Sequence, residues 1–321
     1  MRPPQRLLGP YELLQRLGGS RSTEVYLARH RERDEHVAIK RLLPHAEEDP
    51  ACLARFREEI ELAMSLKHPG LVRGVEWLPA AQHSESSEAL CLIMPVAEGD
   101  LLSALLNQSE GLIPPQDAVV HAASQLAHAL SGLHHFPGGP MVHGDLSARN
   151  VCVAPSGQLT LLDLSSTGPQ GAPTKDEGTP RYRAPERAHE GTLTTHMDVY
   201  AFGVLLWELC AGRRWPLEAP RRLPETSPLA GGALDTLISR CIASDPCTRP
   251  QDAKAILDAL EPLATTRGAQ AWRAWLRAPT APESSAAMSN ARDGKKAWLH
   301  LSLAVGLSAW IALWFIAQML R

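Results

Sequence analysis

The sequence carries no excess of positive charge: 32 Lys and Arg stand against 35 Asp and Glu, a formal charge of -3. A surface that neutralises nucleic-acid phosphates needs the opposite balance, so no nucleic-acid partner is expected. Cysteine is sparse and unpatterned. Cys52, Cys91, Cys152, Cys210, Cys241 and Cys247 form no C-x-x-C pair, and most sit in apolar runs where a thiol behaves as a small hydrophobe. The reading is a reducing compartment with neither a disulfide framework nor a zinc site. The opening stretch, MRPPQRLLGPYELL, has prolines and Arg6 where a secretory leader needs an unbroken apolar core, so nothing there is expected to direct the following region outward. No internal repeat is present. His68, His83, His121, His128, His134 and His135 fall at no metal-ligand spacing.

What the chain does have is enough apolar residue, 44% of 321, for a sizeable core. Strand-like pieces come first (EVYLARH, HVAIKRLL, ALCLIMPV), interrupted by one helix over about Ala51 to Leu66. After Gly99 the pattern turns helical: Gln116 to His134 is amphipathic, and Asp198 to Cys210 is apolar almost throughout. An α+β architecture follows, with a β-rich lobe at 11–97, a helical lobe at 98–263 and a ligand cleft between them. Residues 264–296 are rich in Ala, Pro and Ser and read as a linker. Within it Trp272, Trp275 and Leu276 share one helix face, suited to docking on the preceding domain or to lying at a lipid surface.

No Asp, Glu, Lys or Arg occurs from Trp298 to Leu320. At about 1.5 Å per residue this run can cross a bilayer core of about 30 Å, so 297–320 is expected to be one C-terminal transmembrane helix rather than a buried core helix. Arg292, Lys295 and Lys296 precede it and only Arg321 follows, which leaves the large N-terminal part in the cytoplasm. With so little after the span, a tail anchor is expected. Ala304, Gly306, Ser308, Ala309 and Ala312 would permit close helix packing and a homodimer.

The chemistry sits in VHGDLSARNVCV and LTLLDLS, which bring Asp145, Asn150 and Asp163 into order. Phosphoryl transfer needs a carboxylate to orient the attacking hydroxyl, and an amide with a second carboxylate to hold magnesium on the nucleotide phosphates. Taken alone, the same residues also fit turn and cap chemistry. Upstream, VAIK ends in Lys40, and Glu59 on the helix FREEIELAMS can supply the anion that steadies a phosphate-binding lysine. GTPRYRAPE, DVYAFGVLLWEL and DPCTRP follow in sequence.

These motifs, in this order over about Tyr11 to Leu263, resemble the eukaryotic-type serine/threonine protein kinase family in its bacterial-like form. The resemblance implies a two-lobed kinase fold with ATP and Mg2+ as cofactors and a protein substrate. It implies that Lys40 contacts the phosphates, Glu59 anchors Lys40, Asp145 is the catalytic base, and Asn150 and Asp163 carry the metal. Leu17, Gly18, Val25, Ala38, Met94 as gatekeeper and Ala97 in the hinge would surround the nucleotide. Glu186 and Arg249 resemble the buried pair that braces the large lobe. Asp198 resembles the helix aspartate that supports the catalytic loop, His143 a structural histidine, and Thr179 a residue facing that loop.

The pattern also departs from the family. Its glycine-rich loop reads Gly18, Gly19, Ser20, Arg21, Ser22, Thr23, Glu24, Val25, with Ser20 and Thr23 in place of glycines. Gly144 replaces the HRD arginine, so an activation-loop phosphate on Thr174 has no such partner. Ser147 stands where serine/threonine kinases carry lysine, and Arg149 is positioned as in the tyrosine-kinase sequence. DFG reads Asp163, Leu164, Ser165. Thr174, Thr179, Ser165 and Ser166 are phosphorylation candidates by position, or ordinary loop hydroxyls. Three readings stay open: an active protein kinase, a pseudokinase scaffold or nucleotide sensor, and a small-molecule phosphotransferase, since HGDLSARN is also similar to the loop of aminoglycoside and choline kinases.

Overall fold

The strand VAIKRL alternates two kinds of environment, and the fold is built around that alternation. A computed structural model describes residues 7–79, 90–174, 178–188, 191–216, 220 and 222–278. In it β1 (Leu7–Leu8), β2 (Tyr11–Gly19), β3 (Thr23–His30), β4 (His36–Leu42), β5 (Glu76–Leu78) and β6 (Cys91–Pro95) form one antiparallel sheet in the order β1-β2-β3-β4-β6-β5. Successive side chains of a strand point to opposite faces. Val37 and Ile39 of β4 therefore join Cys91 and Ile93 of β6 in a small cluster with Tyr11 and Ala28. Ala38 and Leu42, with Leu92 and Met94, enter the main core on the other face. Lys40 belongs by parity to that second, core-facing set.

Two helices cross over from β4 towards β5: α1 (Pro44–Glu47) and α2 (Pro50–Ser65). The start of α2 is written in Asp49-Pro50: the Asp49 carboxylate accepts the Ala51 N–H at 2.9 Å, and proline occupies the first turn, where its missing donor costs nothing. One face of α2 buries Phe56, Glu59, Ile60, Leu62 and Ala63, so the carboxylate of Glu59 is carried into the sheet side.

The second lobe is helical. It contains β7 (Asp100–Leu101), α3 (Leu102–Gln108), α4 (Gln116–His134), β8 (Met141–Val142), β9 (Val151–Val153), β10 (Leu159–Leu161), β11 (Gly168–Pro169), α5 (Thr195–Ala211), α6 (Ala233–Cys241), α7 (Ala253–Leu260) and α8 (Gly268–Leu276). The small sheets β10-β9-β7 and β11-β8 hold the loops between them. Helix α5 is buried along nearly its whole length, as its run of apolar residues requires. The β-sheet lobe and the helical lobe together make a two-lobed kinase fold.

Helix α8 lies in the Ala- and Pro-rich region, yet it packs on α4 with Trp272 fully buried. The rings of Trp272 and Trp275 stack at 5.1 Å, and Trp272 Nε1 donates to the Gly157 carbonyl at 3.0 Å. Burying one indole, roughly 150–250 Å² at about 25 cal/mol/Å², supplies several kcal/mol, enough to dock a nine-residue helix that composition alone would leave unfolded. The expected transmembrane run at 297–320 lies outside the described residues. Among the described residues no helix is long and apolar enough to cross a membrane.

Candidate active site

A lysine ammonium on a central strand is costly to bury unless it is paired. Lys40 is 5% exposed, and its Nζ donates to Glu59 Oε1 and to Asp163 Oδ1, each at 2.6 Å. Burial works to lower the Lys40 pKa, but the two carboxylates outweigh it and hold the pKa above its ordinary value. For Asp163, burial works upwards, and the charge and hydrogen bond of Lys40 overcome it and bring the carboxyl down to about 2. It is therefore ionised across the physiological range. The backbone of Asp163 has φ +57°, a left-handed conformation that costs a non-glycine residue about 1–3 kcal/mol. Its surroundings hold it there: the preceding Leu162 N–H bonds to the Asn150 carbonyl at 2.6 Å, and the Ser165 N–H bonds to Asp163 Oδ1 at 3.2 Å.

The loop of Asp145 is fixed from several sides. Asn150 Nδ2 donates to the Asp145 carbonyl at 2.8 Å and to its Oδ2 at 3.0 Å, which aims the amide nitrogen inward and leaves Asn150 Oδ1 as a hard acceptor. The Thr179 N–H donates to Asp145 Oδ1 at 2.8 Å, so the segment carrying GTPRYRAPE faces this loop. His143 ties the two loops together through their backbones: its Nδ1 accepts the Asp145 N–H at 3.3 Å and its Nε2 donates to the Leu162 carbonyl at 3.3 Å. Beneath them the buried Asp198 carboxylate accepts the N–H groups of His143 (2.7 Å) and Gly144 (2.9 Å). Burial raises the Asp198 pKa, but His134 and these amides bring it below the carboxylate norm.

Lys40, Glu59 and Asp163 thus form an ion-paired cluster, and Asp145 and Asn150 a hydrogen-bonded pair, joined through Leu162 and His143. The remaining expected contacts line the sheet. Gly18 pairs with Val25, Val25 with Lys40, and Ala38 with Met94, so these residues follow one another across β2, β3, β4 and β6. Leu17 is largely exposed on the same hairpin. Beside the hinge, Cys152 Sγ lies 3.4 Å from the Glu98 carbonyl and 3.7 Å from that of Ala97. Arg149 is exposed on the Asp145 loop. Arg249 grips Glu186 through two nitrogens at 2.7 and 2.8 Å, bonds to the carbonyls of Ala243 and His196, and stacks over Tyr200 at 5.0 Å.

The family model for the protein kinase domain matches residues 11–259 of this chain. The chain belongs to the protein kinase family. It is 30% identical over 280 residues to the serine/threonine-protein kinase pkn2 of Myxococcus xanthus, which covers 78% of this chain and 32% of that protein. It is 27% identical over 277 residues to the serine/threonine-protein kinase PknB of Mycolicibacterium smegmatis, covering 79% and 43%. Tyrosine-protein kinase MasK of Myxococcus xanthus is 27% identical over 282 residues, covering 79% and 43%. The chain therefore spans less than half the length of these curated relatives.

Set beside the kinase motifs, four features escaped the sequence. Ser20, in a glycine position, accepts the N–H groups of Ser22 and Thr23 with its hydroxyl, both at 3.2 Å, and meets the Thr23 hydroxyl at 3.0 Å. The loop thus caps itself with amides that a glycine loop offers to phosphate. Gly144 sits at φ +76°, and a Cβ there would lie 2.7 Å from the Ser166 carbonyl oxygen. Arg187, immediately after the APE motif, donates to the Gly144 carbonyl. His134 closes the support below: its Nδ1 accepts the Ala253 N–H at 3.1 Å, so Nε2 carries the proton and donates to Asp198 at 3.1 Å. A lone histidine on the buried face of α4 was the only sequence signal for it.

Proposed function

We propose that this chain is a serine/threonine protein kinase that transfers the γ-phosphoryl group of ATP to hydroxyls of protein substrates. The observation that carries this reading is the buried Lys40 ammonium held at 2.6 Å by both Glu59 and Asp163, with Asp145 clamped by Asn150 alongside. Asp145 orients the substrate hydroxyl and accepts its proton as the oxygen–phosphorus bond forms and the bond to the bridging oxygen of ADP breaks. Lys40 binds the nucleotide phosphates. The donor set fits Mg2+, because Asn150 Oδ1 and the ionised Asp163 carboxylate are hard oxygens. When bound, the ion neutralises charge on the phosphate oxygens. Val25, Ala38 and Met94 give the adenine an apolar surface, Ala97 a backbone hydrogen-bonding edge, and Leu17 and Gly18 a cover; Arg149 reaches the transferred phosphate.

The self-capped Ser20 loop favours a second reading, a nucleotide-binding scaffold with little transfer. The discriminating experiment supplies the full chain with γ-labelled ATP and, separately, a generic protein substrate or choline. Label in protein that is lost in Asp145→Asn supports the kinase. Nucleotide binding without transfer supports the scaffold, and label in choline alone supports a small-molecule phosphotransferase.

The apolar run 297–320 and the basic residues before it support a membrane anchor, with the kinase domain on the cytoplasmic side. A chain truncated after residue 296 should leave the membrane fraction; its retention would refute the anchor. Small residues along the run support homodimerisation, which crosslinking that yields only monomers would refute.

A further inference from the structure

On the helical lobe, away from Lys40 and Asp145, an open cavity of about 520 Å³ is lined by His68, His121, His128 and Arg273 together with Ser156 and Gln158. This is a volume suited to a small organic ligand. Four different segments meet here: the loop after α2, helix α4, the turn between β9 and β10, and α8. No Asp or Glu belongs to the lining.

The walls are built. Gln125 Nε2 donates to the Gly157 carbonyl and its Oε1 accepts the Leu159 N–H, both at 3.0 Å, and Trp272 Nε1 donates to the same Gly157 carbonyl. Gly157 has φ +87°, and a Cβ there would meet Trp272 Cδ1 at 3.0 Å and Arg273 Cγ at 3.1 Å, so α8 is seated directly on the turn. The His68 ring fits against Gly70 and Gly132, where Cβ atoms would come within 3.3 and 3.2 Å of it. Its Nδ1 accepts the Gly70 N–H at 3.1 Å, which leaves the proton on Nε2 as a donor.

We propose that this cavity binds an anion of the phosphate monoester class, at a site separate from the phosphoryl-transfer centre. A guanidinium fork, three imidazoles and two neutral polar side chains match a dianion with three terminal oxygens. A metal ion is the wrong occupant, since no group of three or more His, Cys, Asp or Glu among the described residues could hold one. The field is also one-sided. Burial and the neighbouring His128 lower the His68 pKa, and burial and Arg273 lower that of His121. Such crowding of like charge is relieved by a bound anion. The monoester can be a soluble phosphate or a lipid headgroup.

The test is titration calorimetry on the full chain in detergent, its nucleotide site filled by a non-hydrolysable ATP analogue. The probes are inorganic phosphate, dihexanoylphosphatidic acid and dihexanoylphosphatidylcholine. Inorganic phosphate and the phosphatidic acid should bind. Arg273→Gln should weaken both at least tenfold through loss of a charge-assisted pair. Ala269→Asp, which adds a carboxylate to the wall and removes nothing, should do the same even if Arg273→Gln disturbs α8. Tenfold preference for the phosphatidic acid identifies a headgroup site, and equal affinity a soluble ligand. No binding of either inorganic phosphate or the phosphatidic acid, unchanged affinity in Ala269→Asp, or equal binding of the phosphatidylcholine would overturn the proposal.

Discussion

Restoring arginine at Gly144, the family's residue in that motif, should harm this protein rather than repair it. Gly144 has φ +76°, its N–H is tied to Asp198 Oδ1 at 2.9 Å, and a Cβ would lie 2.7 Å from the Ser166 carbonyl oxygen. Any L side chain in this left-handed conformation costs about 1–2 kcal/mol. Pushing the Ser166 backbone aside adds about 1 kcal/mol or more, since overpacking generally costs 1–3 kcal/mol. For a domain of this size, each kcal/mol lowers the melting temperature by about 2–4 °C, so a total of about 2–5 kcal/mol should lower it by roughly 4–20 °C. Gly144→Ala separates the causes, because it introduces the Cβ and nothing further. Thermal unfolding followed by circular dichroism should give similar losses for Gly144→Ala and Gly144→Arg. Transfer activity should fall in both, as the neighbouring Asp145 shifts. Wild-type stability in Gly144→Ala would refute the backbone argument, and a more stable Gly144→Arg would show that the arginine finds compensating partners.

Other consequences follow from the same geometry. Ser20→Gly releases the Ser22 and Thr23 amides, and with one of them regained by phosphate at about 0.5–1.5 kcal/mol it should tighten ATP binding about twofold to tenfold by calorimetry; weaker binding would contradict the self-capping account. Glu186→Ala strands the buried Arg249 charge and should cost about 3–5 kcal/mol in urea unfolding. Because the two residues are directly paired, Arg249→Met should cost about 1–3 kcal/mol less in that background than in the wild type, and strict additivity would exclude the coupling. The Asp163 carboxyl is lowered from 3.8 to about 2, so the stability it contributes is complete above about pH 4 and is lost as pH falls towards 2. Its side chain is 39% exposed, so solvent screening holds this contribution to about 1 kcal/mol. Lys40→Met should flatten that acid limb of the stability profile, and an unchanged limb would assign it to other carboxylates.

Much of this was legible in the sequence because it depends on local pattern. The alternation in HVAIKRL set the two faces of β4 and sent Lys40 inward, and the apolar period from Gln116 to His134 marked α4. Asp145, Asn150 and Asp163 were recognisable by order and spacing, and Lys40 and Glu59 meet as expected. What could not be read depends on partners distant in the chain or on backbone conformation. Nothing near His134 indicates that its ring spans Asp198 and Ala253, nor that Arg187 returns to the Gly144 carbonyl. The Ser20 substitution suggested weaker phosphate contact, but the hydroxyl that replaces phosphate as the amide acceptor is a feature of the folded turn. Composition also understated α8, whose stability comes from Trp272 meeting α4 and Gly157, surfaces supplied by other parts of the chain.

Whether this chain transfers phosphate to protein hydroxyls is decided by mass-spectrometric mapping of phosphorylation on the full chain after incubation with ATP and Mg2+, beside Asp145→Asn treated identically. Phosphoserine or phosphothreonine should appear on the wild type and fall by roughly 10²–10⁴-fold when the proton acceptor is lost. Equal phosphorylation of both proteins would contradict the kinase reading.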